Sequence, residues 1–93
     1  MDKAEEEIKL ISRFAEANNL LMSVGKTPDG WDIEMCLYSA ERGYPSSIMY
    51  IGYGSSNADV AKDLLKHIML CKGWKSKDEI EVWCDLNCSS TCH

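Results

Sequence analysis

Trp31-Asp32-Ile33-Glu34-Met35-Cys36-Leu37-Tyr38 alternates apolar and polar residues without a break. A period of two is that of a β-strand with one buried and one wet face. Trp31, Ile33, Met35 and Leu37 fall on the first face; Asp32, Glu34, Cys36 and Tyr38 fall on the second. Such a strand needs neighbours to pair with and a layer to cover its apolar side. An all-helical fold is thereby excluded.

The neighbours lie on either side in the chain. Leu20, Met22 and Val24 alternate with Leu21 and Ser23, giving a strand over 20–25. Thr27-Pro28-Asp29-Gly30 supplies the turn: proline presets the second position and glycine takes the positive-φ corner. Residues 20–38 are therefore expected to form a hairpin. A loop is expected over 39–45, where Tyr44-Pro45 keeps the chain extended. A third strand follows over 47–53. Met49, Ile51 and Tyr53 suit its core face, leaving Ile48, Tyr50 and Gly52 outside; the opposite facing also fits, because both sets carry apolar groups.

Helices flank these strands. Ile8, Ile11, Phe14 and Ala15 share one face of a helix over 3–17, with Leu10 on its margin and Asn18-Asn19 as its stop. Ser56 with Asp59 caps a second helix, whose apolar face is Val60, Ala61, Leu64, Leu65, Ile68 and Cys71 and whose end is Gly73. Ile80 to Leu86 alternates like a strand, but Ser76 with Glu79 forms a capping box. A short helix over 77–88 is the better account, with Ile80, Trp83, Cys84 and Asn87 on one face. The expected fold is α+β, in the order α-β-β-β-α plus a short C-terminal helix. Its three-stranded antiparallel sheet carries helices on one face and is open on the other, within one domain over 1–93 and a frayed tail at 89–93.

Composition narrows the function. The chain of 93 residues carries 15 Asp plus Glu against 10 Lys plus Arg, a net charge of −5. Phosphate backbones are bound through Lys and Arg, so direct binding of nucleic acid is disfavoured and a basic protein surface is favoured. The acidic start Met1 to Glu7 is unlike a signal peptide, and no apolar run has the roughly 20 residues of a membrane span. A cytoplasmic monomer or weak dimer, free of membrane and cofactor, is expected.

Candidate binding residues are Asp32, Glu34, Tyr38 and Tyr50 on the open sheet face, and Asp78, Glu79, Glu81 and Asp85 in the last segment. Carboxylates pair with arginine, and tyrosines add contact area and a hydroxyl. The bland alternative is an ordinary wet sheet face. Five cysteines raise a second possibility. Cys84, Cys88, Cys92 and His93, with distant Cys71, could bind zinc or switch by oxidation, although the spacing of four suits a tetrahedral site poorly. The alternative is thiols that are buried, as Cys71 and Cys84 would be, or frayed. Gly52-Tyr53-Gly54 lacks the third glycine of a dinucleotide fingerprint, and Asn57 stands in its place. His67 is expected at a helix edge with no nucleophile assigned to it, and Trp31, Trp74 and Trp83 in or beside the core. No enzymatic apparatus is visible.

The α-β-β-β-α order, with Gly54-Ser55-Ser56 before a helix holding Ala58, Ala61 and Leu65, resembles the double-stranded-RNA-binding domain. That family places lysines at the start of its second helix; here the chain reads Asn57-Ala58-Asp59-Val60-Ala61, with Lys62 alone nearby. A second resemblance is to small acidic phage anti-CRISPR inhibitors of α-β-β-β-α-α order. It rests on Gly73-Trp74 and on the acidic, aromatic segment with Asp78, Glu79, Glu81, Trp83 and Asp85. It implies an inhibitor whose carboxylates stand in for DNA phosphates on a host nucleic-acid-binding protein, such as a CRISPR effector. Glu81 and Asp85, one turn apart, would serve that role on a helix.

Overall fold

The computed structural model describes residues 3–41 and 44–88. They form α1 (Lys3–Ala17), β1 (Leu20–Lys26), β2 (Ile33–Glu41), β3 (Tyr44–Gly54), α2 (Asn57–Lys72) and α3 (Lys77–Cys88). The strands make one antiparallel sheet in the order β1-β2-β3. The α+β architecture expected from the sequence is the one observed, with the sheet open. The expected frayed tail lies outside the described residues.

Local signals account for the elements. Asn18 closes α1 by donating its side-chain N–H to the Phe14 carbonyl at 2.8 Å, and Asn19 turns the chain at φ 57°, a conformation asparagine tolerates. Gly30 sits at φ 79° and donates its N–H to Thr27 O at 2.8 Å, which makes the expected hairpin turn. Ser56 accepts the Asp59 N–H at 3.2 Å, and Gly73 at φ 74° ends α2 while Trp74 donates back to Met69 O at 2.9 Å. The last segment is the helix that Ser76 and Glu79 announce, with Ile80 and Cys84 fully buried. Glu79 reaches back to the Lys75 N–H, one residue before the expected cap.

The core lies between the sheet and the helices. Ile11 and Phe14 of α1, Met35 and Leu37 of β2, and Val60, Leu64, Leu65 and Ile68 of α2 are all buried. Phe14 is its hub, with ring centroids at 5.6 Å from Tyr50, 6.2 Å from Trp74 and 5.5 Å from Trp83. Each such aromatic pair adds about 0.5–1.5 kcal/mol beyond area burial.

Four expectations need correction. β3 turns the other way: Tyr50, Gly52 and Gly54 face the helices, whereas Met49 and Tyr53 are exposed; Ile48 is outside as expected. The cause is close approach of α2. A Cβ on Gly52 would lie 2.6 Å from Leu64 N, and one on Gly54 would lie 2.5 Å from Val60 N, so only glycines fit beneath the helix. The expected loop over 39–45 is mostly strand, with Ala40 opposite Pro45 and Glu41 opposite Tyr44. Proline is tolerated because β3 is an edge strand. Trp31 is no core residue: it is 83% exposed in the turn before β2. Asp29 Oδ1 accepts its N–H at 3.0 Å, which holds it in the turn and starts β2 two residues later than the alternation suggests. Cys71 is exposed, because the buried stripe of α2 ends before its last turn.

The outer edge of β3 is covered by side chains of α2. Asp63 Oδ2 accepts the Tyr53 N–H at 2.9 Å. One turn on, His67 Nδ1 lies 3.1 Å from Ile51 N and 3.0 Å from Ile51 O. The bare ring nitrogen accepts the N–H; the protonated one donates to the carbonyl. Two backbone positions that would otherwise template another strand are thereby occupied.

Candidate functional site

The sheet and α3 divide the eight candidate residues between two sides of the molecule. Glu34 and Tyr38 project from β2 onto the open face and are half-buried. Between them Cys36 is buried, and its thiol donates to Glu34 Oε1 at 3.6 Å. Burial, with the Glu34 charge adding to it, pushes the Cys36 thiol above the ordinary range. Asp32 is exposed in the hairpin turn rather than on the strand. Tyr50 does not belong with them, since it packs edge-on against Phe14 inside the core and burial raises its hydroxyl pKa.

What the open face offers instead is apolar. Leu21 of β1 and Ile48 and Tyr53 of β3 are exposed there, Ile51 is half-buried, and Glu34 is a carboxylate among them. The alternation of the strands shows Leu21 and Ile48 outside, but the reversed facing of β3 hides Ile51 and Tyr53 from hydropathy. Trp31 was also hidden, since a tryptophan in period with Ile33 and Met35 reads as core.

α3 gathers the other four. Its core stripe is Ile80 and Cys84. On one flank, Asp78, Val82 and Leu86 recur every four residues and so share a face. They border a groove of about 350 Å³ with Trp74, Glu79 and Trp83. Val82 is 58% and Leu86 76% exposed. The Trp74 and Trp83 rings form the groove wall, with centroids 6.3 Å apart. On the other flank, Glu81 borders a second groove shared with Glu6, Lys9, Leu10 and Arg13 of α1. Asp85 is exposed but engaged, its Oδ1 taking the Arg13 guanidinium at 2.6 Å. Among the described residues Asp78 and Glu81 thus present unshared carboxylates, whereas Asp85 is tied to α1 and Glu79 accepts the Lys75 N–H. In the sequence the apolar pair Val82 and Leu86 is signalled only by its spacing of four.

A cysteine site does not assemble from the described residues. Cys84 is fully buried in the core, against Ile80 and the α1 side, and Cys71 is exposed at the end of α2. No group of three potential metal ligands occurs among the described residues; the Cys88 side chain, Cys92 and His93 lie outside them. No helix among the described residues is long and apolar enough to cross a membrane. No protein-family model matches the chain, and neither the curated proteins nor the solved structures contain a significant match to it.

Proposed function

We propose that this chain is a non-enzymatic protein-binding domain, and that α3 with the Trp74–Trp83 groove is its binding surface. The observation that carries this is the company the α3 carboxylates keep. A solvated helix face carries charge without apolar side chains. Here Asp78 and Glu79 border the groove beside Val82 and Leu86, two large apolar residues left in water on the same three turns. Acidic rim and apolar centre together fit a partner surface that is basic around an apolar contact.

The net charge of −5 would steer such a partner in. Basic surfaces of this kind are common where proteins hold nucleic acid. The reading that follows is a blocker, of phage or mobile-element type, that occupies the nucleic-acid site of a host defence protein. Carboxylates of α3 would take the places of phosphates there. The open sheet face specifies no such partner, since it is apolar with Glu34 half-buried.

The test is a pull-down from nuclease-treated host lysate in reducing buffer, at low and high salt, with wild type and two variants. Asp78→Lys reverses a charge and Leu86→Ala removes an apolar contact, both at exposed positions bordering the groove. Each is expected to weaken capture of a nucleic-acid-binding protein at least ten-fold, with a Tm within a few degrees of wild type. Capture that is indifferent to both changes and to salt would overturn the assignment.

A further inference from the structure

The two edges of the sheet are treated differently. On the β3 edge, Asp63 and His67 engage the outward groups of Tyr53 and Ile51, as described. Along β1, among the described residues, no side chain bonds to the outer backbone groups. Which groups those are follows from the register. Ile51 turns its N–H outward to His67, so Cys36 opposite it forms a non-hydrogen-bonded pair with β3 and directs its own N–H and C=O to Ser23 of β1. Thr27, whose N–H donates to Asp32 O at 2.9 Å, gives the same parity from the other end of the hairpin. Ser23 therefore bonds inward, and Leu20, Met22, Val24 and Lys26 present free N–H and C=O groups outward.

We propose that this edge of β1 pairs antiparallel with the same edge of a second copy, merging the two sheets across a two-fold axis. The strand is self-complementary in three respects. Its middle residue is Ser23, and pairing centred on Ser23 overlaps all of Leu20–Lys26 with its mate. In that register the outward residues meet one another, Met22 opposite Val24 and Leu20 opposite Lys26, which allows about eight new backbone hydrogen bonds. The side chains also fit: Leu21 falls opposite Gly25, which has nothing within 4 Å of where a Cβ would be.

Charge on the strand does not oppose a second copy. The chain carries 15 acidic residues, yet none lies between Ala17 and Pro28. The one charge on the edge, Lys26, stands about 20 Å from its mate in this register, well beyond the roughly 8 Å screening length. Leu21, Met22 and Val24, which are between 37% and 52% exposed, would be covered. An interface of one strand pair is small, so association is weak and concentration-dependent. The proposal is independent of α3, which contributes nothing to this edge.

Sedimentation equilibrium in reductant from about 10 µM to about 1 mM, paired with amide exchange, tests it. The expected result is a monomer–dimer equilibrium in which the Met22 and Val24 amides gain protection with concentration, while the Ser23 amide is protected throughout. Val24→Pro removes only an outward N–H, and Val24→Lys sets a charge on the edge; each is expected to weaken association at least ten-fold. A chain that stays monomeric at about 1 mM with freely exchanging Met22 and Val24 amides overturns the proposal, as does a dimer that survives both variants. Protection of those amides only on adding another protein would assign the edge to a foreign strand and also overturn it.

Discussion

Replacing Gly52 by alanine should be far more damaging than a change of one methyl group suggests. The new Cβ would meet Leu64 N at 2.6 Å and Leu64 Cα and Cβ at 2.8 Å. Two of those atoms belong to the backbone of α2, so no rotamer change relieves the clash; the helix must rise off β3. Overpacking of this kind costs about 1–3 kcal/mol, and a rigid obstacle places it at the upper end. Alanine recovers roughly 0.4–1 kcal/mol by restricting the unfolded chain. A net loss of about 2 kcal/mol remains, which in a domain of this size lowers Tm by roughly 8–16 °C. Gly25→Ala is the control, because nothing lies within 4 Å of its Cβ position; it should be neutral or gain up to about 1 kcal/mol. Urea titration followed by tryptophan fluorescence reads both, since Trp74 and Trp83 pack against Phe14. A Gly52→Ala protein within about 0.5 kcal/mol of wild type, or an equal loss in Gly25→Ala, would refute close packing of α2 on β3.

Three further expectations are narrower. The Thr27 hydroxyl and the Trp31 N–H hold the Asp29 carboxyl below the ordinary aspartate range. Their contribution is present above that range and fades as pH falls through the depressed value; Thr27→Val should raise the Asp29 midpoint in a carboxyl NMR titration, and an unmoved midpoint would contradict this. In a protein with Cys88 and Cys92 replaced by serine, a thiol reagent should label Cys71 at once and Cys36 and Cys84 only on unfolding; rapid labelling of all three would show the buried thiols to be accessible. Asp85→Asn should cost less than about 1 kcal/mol, because the Arg13 pair is surface-exposed and screened. A larger loss by thermal melting, or one insensitive to salt, would mean the pair does more than bridge α1 and α3.

Much of the fold is written locally and could be read. Caps, turn residues and helical spacing act over a few positions, so the bounds of α1 and α2 and the corner at Gly30 follow from neighbouring residues. The facing of β3 was not legible for the opposite reason. Hydropathy favours Met49 and Ile51 over Gly52 and Gly54, but the deciding quantity is the space left by a helix that arrives later in the chain. Trp31 failed similarly: its period is right, yet Asp29 captures its N–H and keeps it in the turn. Of the candidate site, the α3 carboxylates were legible once Ser76 and Glu79 settled the helix. The engagement of Asp85 was not, since Arg13 lies 72 positions away.

The guarded stretch of the β3 edge bears on what kind of assembly a sheet like this can enter. A sheet bare on both sides can recruit strand after strand, and its growth has no natural limit. Asp63 and His67 obstruct growth at Tyr53 and Ile51 on one side, whereas along β1 no side chain among the described residues does the same. Replacing Asp63, which is exposed, would touch little of the core but would bare part of that edge, with fibres as the hazard rather than unfolding.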